Sequence, residues 1–341
     1  MNARHPLRLL GAALRGQVPA GADWRSIVTV ASRGWLAPAL YLALSRHAKL
    51  GALDNAAAHY LELLHARNLE RNRRLRRQLV EAAAALGAAG VEPVLLKGAN
   101  HLFLARDEDL GARMLSDIDL SIRPAEAERA SEALRELGYV PDHRGREWAR
   151  VEDAATIELH ARPSARAAPY LRDDLHSWSP PTARHGVQLR VPEPTARALH
   201  LIVHDMIKEG DLWTYRLDLR HLHDLYRLQV DGSSRVDWPR LARLLSDRVG
   251  RHALMVQIVA LEDLFGVPIP QELAATVPAA AKLTYRRQLL ATMPGPVGAV
   301  IRSAGRLSHS LALICGYSWQ GSPALVRQVR RRFAPAAGSR I

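Results

Sequence analysis

The stretch LLKGANHLFLARDEDLGARMLSDIDL, residues 95–120, decides the fold. It opens on an apolar run that stops at Lys97-Gly98. It closes on Asp117 and Asp119, one residue apart and flanked by apolar residues. Residues 91–96 are short, apolar and bounded by Gly90 and Gly98, which predicts a buried strand. A helix is expected over about 100–106. Ile118, Leu120 and Ile122 then alternate with Asp117, Asp119 and Ser121, the period of a half-buried strand. Both aspartates therefore leave one strand face, roughly 7 Å apart.

Two carboxylates held this way repel each other unless a cation lies between or in front of them. A hard divalent ion is the usual solution, since Mg²⁺ takes one or two carboxylates plus phosphate oxygens. Two such ions about 4 Å apart clamp an in-line phosphoryl displacement. A third carboxylate belongs on a neighbouring strand, and Glu158 in Thr156-Ile157-Glu158-Leu159-His160 is the candidate. It would bind metal on the acceptor side and orient or deprotonate an attacking hydroxyl. Upstream, Gly98 permits a tight turn and close backbone approach, and amides opening the next helix can receive phosphate. Lys97 adds a point charge, Ser116 a further phosphate or loop contact, and Arg113 charge neutralisation across the turn. Taken singly these signals are weak, because many solvated strands carry two acids. The order strand, Lys-Gly, helix, Asp-x-Asp, strand glutamate is what points to a two-metal nucleotide site.

Outward from this centre the pattern is helical. Residues 24–33, 36–48 and 54–86 carry helical periodicity, and the last of these holds Arg71, Arg73, Arg74, Arg76 and Arg77, read as a solvated face. The opening MNARHPLRLLGAALRGQ faintly resembles a signal peptide, but its apolar stretch is short and closed by Arg15, so it reads as a surface helix. Past the aspartates, Pro124 opens a helix over about 125–137. Strands are expected at 139–140, 147–151, 155–159 and 187–191, with an Arg/Pro/Ala-rich loop over 161–185. Helices follow near 195–209, 213–229, 237–247, 250–265, 279–292, 297–314 and 322–333. The organisation is a helical region 1–90, an α/β core 91–192 and a helical domain 193–335. No internal repeat is visible.

The chain has 341 residues, 48% of them apolar, enough for packed cores. Its single cysteine, Cys315, excludes an internal disulfide framework, fits a reducing compartment and reads as a small core residue. No apolar run reaches about 18 residues, so no membrane span is expected, and the cytoplasm is the default location. The formal charge of +13 leaves nucleic acid open as a partner. Against that, only four of the 47 basic residues are lysines, as in Arg- and Ala-rich chains generally. That scarcity singles out Lys97 as a compact charge that arginine does not replace.

The pattern L-K-G-A, R-x-x-S-D-I-D-L and I-E-L-H resembles the signature of the DNA polymerase β-like nucleotidyltransferase superfamily. In particular it resembles a bacterial family of uncharacterised nucleotidyltransferases and, more distantly, nucleotidyltransferase toxins of abortive-infection systems. The resemblance implies an α+β fold, a mixed sheet with helices behind it and helical N- and C-terminal flanks. It gives Asp117, Asp119 and Glu158 the metal-binding, catalytic positions, Gly98 the signature glycine and Lys97 the lysine before it. The superfamily more often carries Gly-Gly or Gly-Ser where this chain has Gly98-Ala99, so a serine contact to phosphate is missing. The implied reaction moves a nucleoside monophosphate from an NTP, ATP among them, to a hydroxyl, with two Mg²⁺ ions or Mn²⁺ in their place. A small-molecule or peptide acceptor is favoured. The alternatives are an RNA or tRNA acceptor and a degenerate module that binds a nucleotide or a partner.

Two further groups stand out. His200 and His204 share a helix face, followed by His221, His223 and Asp224; they read as a His204–Asp224 interhelical bond or as cleft lining rather than a zinc site. Trp213 and Tyr215 could stack on a base and Arg216 meet phosphate, although a packing cluster is the commoner use of such residues. The basic tail Arg327, Arg330, Arg331 and Arg332 reads as a solvated face.

Overall fold

A computed structural model describes residues 5–18, 21–171, 175–230 and 235–318, with side chains to 313. The Cys315 side chain, the helix expected near 322–333 and the tail arginines lie outside the described residues. Seven strands form one sheet: β1 (Val94–Leu95), β2 (Ile118–Ser121), β3 (Val140–Pro141), β4 (Glu147–Ala149), β5 (Ile157–His160), β6 (Pro181–Arg184) and β7 (Val187–Arg190). Their order is β3-β4-β5-β2-β1-β7-β6. β2 runs parallel to β5 and β1 parallel to β7, while the other neighbours are antiparallel. The fold is α+β, a mixed sheet flanked by helices on both sides in sequence.

The apolar alternation does the sorting. Ile118 and Leu120 of β2 and Ile157 and Leu159 of β5 are buried in a cluster with Leu102 and Phe103 of the helix Lys97–Leu104 and Leu134 of the helix Ala127–Glu136. The alternate residues, Asp119, Ser121, Glu158 and His160, are left to the other face. A second apolar cluster joins the N-terminal helices to the C-terminal ones, with Leu10, Leu40, Leu61, Ile202, Leu222 and Leu261 among its buried members. The helix Asn55–Ala88 passes through both clusters: Leu61 belongs to one, and Leu75, Leu79 and Leu86 to the other. Its 34 residues span about 50 Å. Asp54 starts it by accepting the amide of Ala57 at 2.7 Å.

Four local expectations give way. The helix Pro6–Leu14 is packed inside rather than lying on the surface: Leu7, Leu10 and Ala13 are buried, and a Cβ on Gly11 would stand 1.9 Å from the carbonyl oxygen of Leu264. Residues 181–184, expected as loop, form β6. Pro181 is tolerated because it is the first residue of an edge strand. The helix expected over 213–229 is two, Asp211–Thr214 and Leu219–Val230, split where Tyr215 turns left-handed at φ 56°. Within the arginine run, Arg71 and Arg76 point inward: Arg76 donates to the carbonyls of Leu102 (2.7 Å) and Ala105 (2.6 Å). No helix of the described residues is long and apolar enough to cross a membrane.

Candidate active site

The parallel register of β2 and β5 sets Asp119 beside Glu158 and Ser121 beside His160. The antiparallel partner β1 ends two residues before Lys97, and the Leu96 amide between them donates to the Asp119 carbonyl at 3.1 Å. Lys97, Asp119, Glu158 and His160 therefore meet on the polar face. Lys97 Nζ donates to Asp119 Oδ1 at 2.8 Å, and His160 Nε2 lies 2.9 Å from the same oxygen. His160 Nε2 is also 3.5 Å from Glu158 Oε2, and Arg146 donates to Glu158 Oε1 at 3.1 Å.

Asp119 is 1% exposed. Burial alone would raise its carboxyl, but the His160 hydrogen bond and the Lys97 charge outweigh it and hold the group well below the carboxylate range. Lys97 answers in kind: burial would lower it, but Asp119 raises it. Asp117 goes the other way, pushed up by burial and by the charge of Asp119, with a Ser116 side-chain hydrogen bond opposing. Like charges crowded this closely favour a cation. Ligand atoms of Asp119, Glu158 and His160 lie within 4.8 Å of one another, so this group can hold a metal ion. The carboxylate oxygens suit a hard one. Asp117 lies outside that tightest set but is electrostatically coupled to Asp119 and Glu158.

Lys97 opens the helix Lys97–Leu104 with φ 41°, a left-handed backbone rare for a residue with a side chain. The turn at 97–98 thus strains Lys97 rather than Gly98. Gly98 is required for another reason: a Cβ there would lie 2.3 Å from Arg113 Nη1 and 2.5 Å from Leu115 Cδ2. Arg113 itself is turned away from the acids. It forks onto Asp224 of the helix Leu219–Val230, with Nη2 at 2.7 Å and Nε at 3.0 Å from both oxygens. Ser116 is exposed beside Asp117.

The loop carrying Asp117 is held from behind by the helix Asn55–Ala88. Asn68 donates to the carbonyls of Gly111 (2.8 Å) and Arg113 (3.0 Å), and Asn72 to those of Leu110 (2.7 Å) and Arg113 (2.8 Å). Arg71 ties both acidic strands together, donating to the carbonyls of Leu115 (2.6 Å) and Ala154 (3.1 Å) just before each. Sequence reasoning missed these supports. Their signal was there: Asn68 and Asn72, four apart, interrupt the apolar face that runs from Leu61 to Leu75.

The histidine cluster is organised differently from the expected His204–Asp224 bond. Asp224 is taken by Arg113, and Asp205 is the hub, 2.9 Å from His204 Nδ1 and 2.8 Å from His221 Nδ1. These three could also hold a metal ion. His200 stacks on His204 at 6.2 Å between ring centroids. Burial pushes both His200 and His204 below the ordinary imidazole range, for His204 against the raising effect of the Asp205 hydrogen bond. Trp213 packs on His309 at 6.2 Å, the Tyr215 hydroxyl accepts from Arg287 at 3.0 Å, and Arg216 pairs with Asp211 at 2.8 Å. None of these three lines either cavity described next.

Two cavities flank Lys97. One, of about 860 Å³, lies between the N-terminal helices and the helix Leu219–Val230. The other, of about 330 Å³, lies over the ends of β2 and β5 and under the helix Pro194–Ile202. No curated protein and no solved structure matches the chain. A family model does, over residues 20–266, which takes in the sheet, the long helix behind it and most of the helices that close the cleft. The chain belongs to that family, the uncharacterised nucleotidyltransferases.

Proposed function

We propose that the chain is a divalent-metal-dependent nucleotidyltransferase, moving a nucleoside monophosphate from an NTP to a hydroxyl on a small-molecule or peptide acceptor. The observation that carries this reading is the β2–β5 register, which pairs Asp119 with Glu158 two residues beyond Asp117. In the reaction the acceptor oxygen bonds to the α-phosphorus, the bond from that phosphorus to the bridging oxygen breaks, and pyrophosphate leaves. Asp117, Asp119 and Glu158 are the residues that would hold Mg²⁺. When bound, the metal neutralises their charge and stabilises the attacking and leaving oxygens. Glu158 orients the hydroxyl and receives its proton. Lys97, poised on Asp119 at 2.8 Å, supplies a charge for phosphate.

An RNA acceptor draws less support, because part of the basic surface is spent internally: Arg71, Arg76 and Arg113 all bind backbone carbonyls or Asp224. A degenerate module is disfavoured by Asp119 and Glu158 lying side by side. The reading is tested with NTPs labelled at the α or the γ position and cell extract as acceptor source. Incorporation of α label with γ label released as pyrophosphate is expected. Incorporation of γ label would mark a kinase and end the proposal.

A further inference from the structure

The cavity of about 330 Å³ beside the acidic cluster has a one-sided lining. Lys97, Arg123, Arg146, Arg162 and Lys208 all contribute to its wall, and among the described residues no Asp or Glu does. The chain as a whole has 34 acids to 47 bases, so five cations without an acid is a marked local separation of charge. Four of the five have carboxylate partners, Asp119, Glu126, Glu158 and Glu209, but those carboxylates sit outside the wall. His200 lines this cavity as well as the larger one.

The position of the cavity distinguishes what it would take. Lys97 carries the cavity wall to Asp119, and Arg146, which donates to Glu158 at 3.1 Å, carries it on to the Glu158 end of the cluster. That is the end the proposed reaction gives to the hydroxyl. Its volume is at the small end for ligand sites, enough for one compact anionic group and its carbon frame and too small for a nucleic-acid strand.

We propose that this cavity binds the negative group of the acceptor, so that the molecule or side chain being nucleotidylated carries a phosphate or carboxylate beside its hydroxyl. The inference rests on the nucleotidyltransferase reading and names the acceptor's chemistry. Arg162 is exposed and Lys208 half-buried, so their replacement leaves both apolar cores intact.

The test is calorimetric titration with inorganic phosphate and, separately, with malate, in the absence of metal. Each is titrated into the wild type, R162E/K208E, R162K/K208R and D117N/D119N. One of the two anions should bind, which separates a phosphate from a carboxylate source. Its affinity should fall about tenfold or more in R162E/K208E, the scale of one lost charge-assisted hydrogen bond. It should survive in R162K/K208R and in D117N/D119N. Metal-dependent NTP binding should persist in R162E/K208E, which also shows that the variant is folded. Failure of both anions to bind, or unchanged affinity in R162E/K208E, overturns the proposal. So does competition between anion and NTP, which would make the cavity the triphosphate site. Absence of metal-dependent NTP binding to the wild type would instead sink the nucleotidyltransferase reading, and the acceptor role with it.

Discussion

Replacing Asp224 by Asn removes the carboxylate that faces Arg113 across the junction of the sheet domain and the C-terminal helices. Arg113 donates to it at 2.7, 3.0 and 3.0 Å, and the two side chains are 9% and 19% exposed. Two routes give the magnitude. Burial would raise the Asp224 carboxyl, but Arg113 outweighs it and brings the group from 3.8 down to about 2. That shift corresponds to about 2–3 kcal/mol. Removing one member of a buried pair costs about 3–5 kcal/mol, because the other charge is left buried. D224N should therefore lose about 3 kcal/mol, a large share of a total stability of about 5–15 kcal/mol. Urea denaturation followed by far-UV circular dichroism measures it. Because the folded carboxyl titrates below the unfolded one, the stabilisation is present above about pH 4 and is lost as pH falls toward 2. The D224N penalty should shrink over that window. R113M/D224L, apolar and similar in volume, should recover most of the loss. A D224N loss below about 1 kcal/mol, or one independent of acid, would refute the reasoning and mean that Arg113 is satisfied without Asp224.

Gly98→Ala should destabilise by about 1–3 kcal/mol through overpacking against Arg113 and Leu115, read as a lower melting temperature. An unchanged melting temperature would mean that the loop yields freely. Asn72→Leu removes two of the four asparagine hydrogen bonds that hold this loop, leaving the Arg113 carbonyl to Asn68 and the Leu110 carbonyl to His101. It should cost about 1–3 kcal/mol in denaturation and weaken NTP binding measured by calorimetry, since the Asp117 loop loses its support. His101 and His223 are each held down to about 4, chiefly by burial. Neutral histidines of this kind stabilise the fold above about pH 6.5, and that contribution is lost as pH falls toward 4. Melting temperature should drop over that range, and H101Q/H223Q should flatten the slope. Glu158→Gln keeps the shape of the site and should lower transfer by about a hundredfold or more in a labelled-NTP assay while leaving stability nearly unchanged.

What was legible in the sequence was the part governed by short-range pattern. The alternation around Asp119 and the isolated Ile157-Glu158-Leu159 marked two strands with Asp119 and Glu158 on the polar face, while Asp117, expected on the same strand, falls just before β2. The parallel register that sets Asp119 beside Glu158 depends on long-range pairing, which no local pattern encodes. β6 stayed hidden because Pro181 and Pro180 argue against a strand everywhere except at a sheet edge. Arg71 and Arg76 look like solvated arginines, and Arg113 like a charge for the turn at the site, until their carbonyl and carboxylate partners, at least 26 residues away in the chain, are folded against them. Lys97 was conspicuous by its rarity. Its pairing with Asp119 followed only from β1 lying next to β2. His160 shares the Glu158 face by simple period two, yet its contact with Asp119 is a cross-strand one.

The central claim is that the β2–β5 acids form a metal-dependent nucleotide site. The most direct measurement is calorimetric titration of each NTP, with and without Mg²⁺, into the wild type and the D117N/D119N variant. The account predicts that at least one NTP binds only with Mg²⁺ and that the variant loses this binding. Binding that is indifferent to Mg²⁺, or that persists in the folded variant, would contradict it.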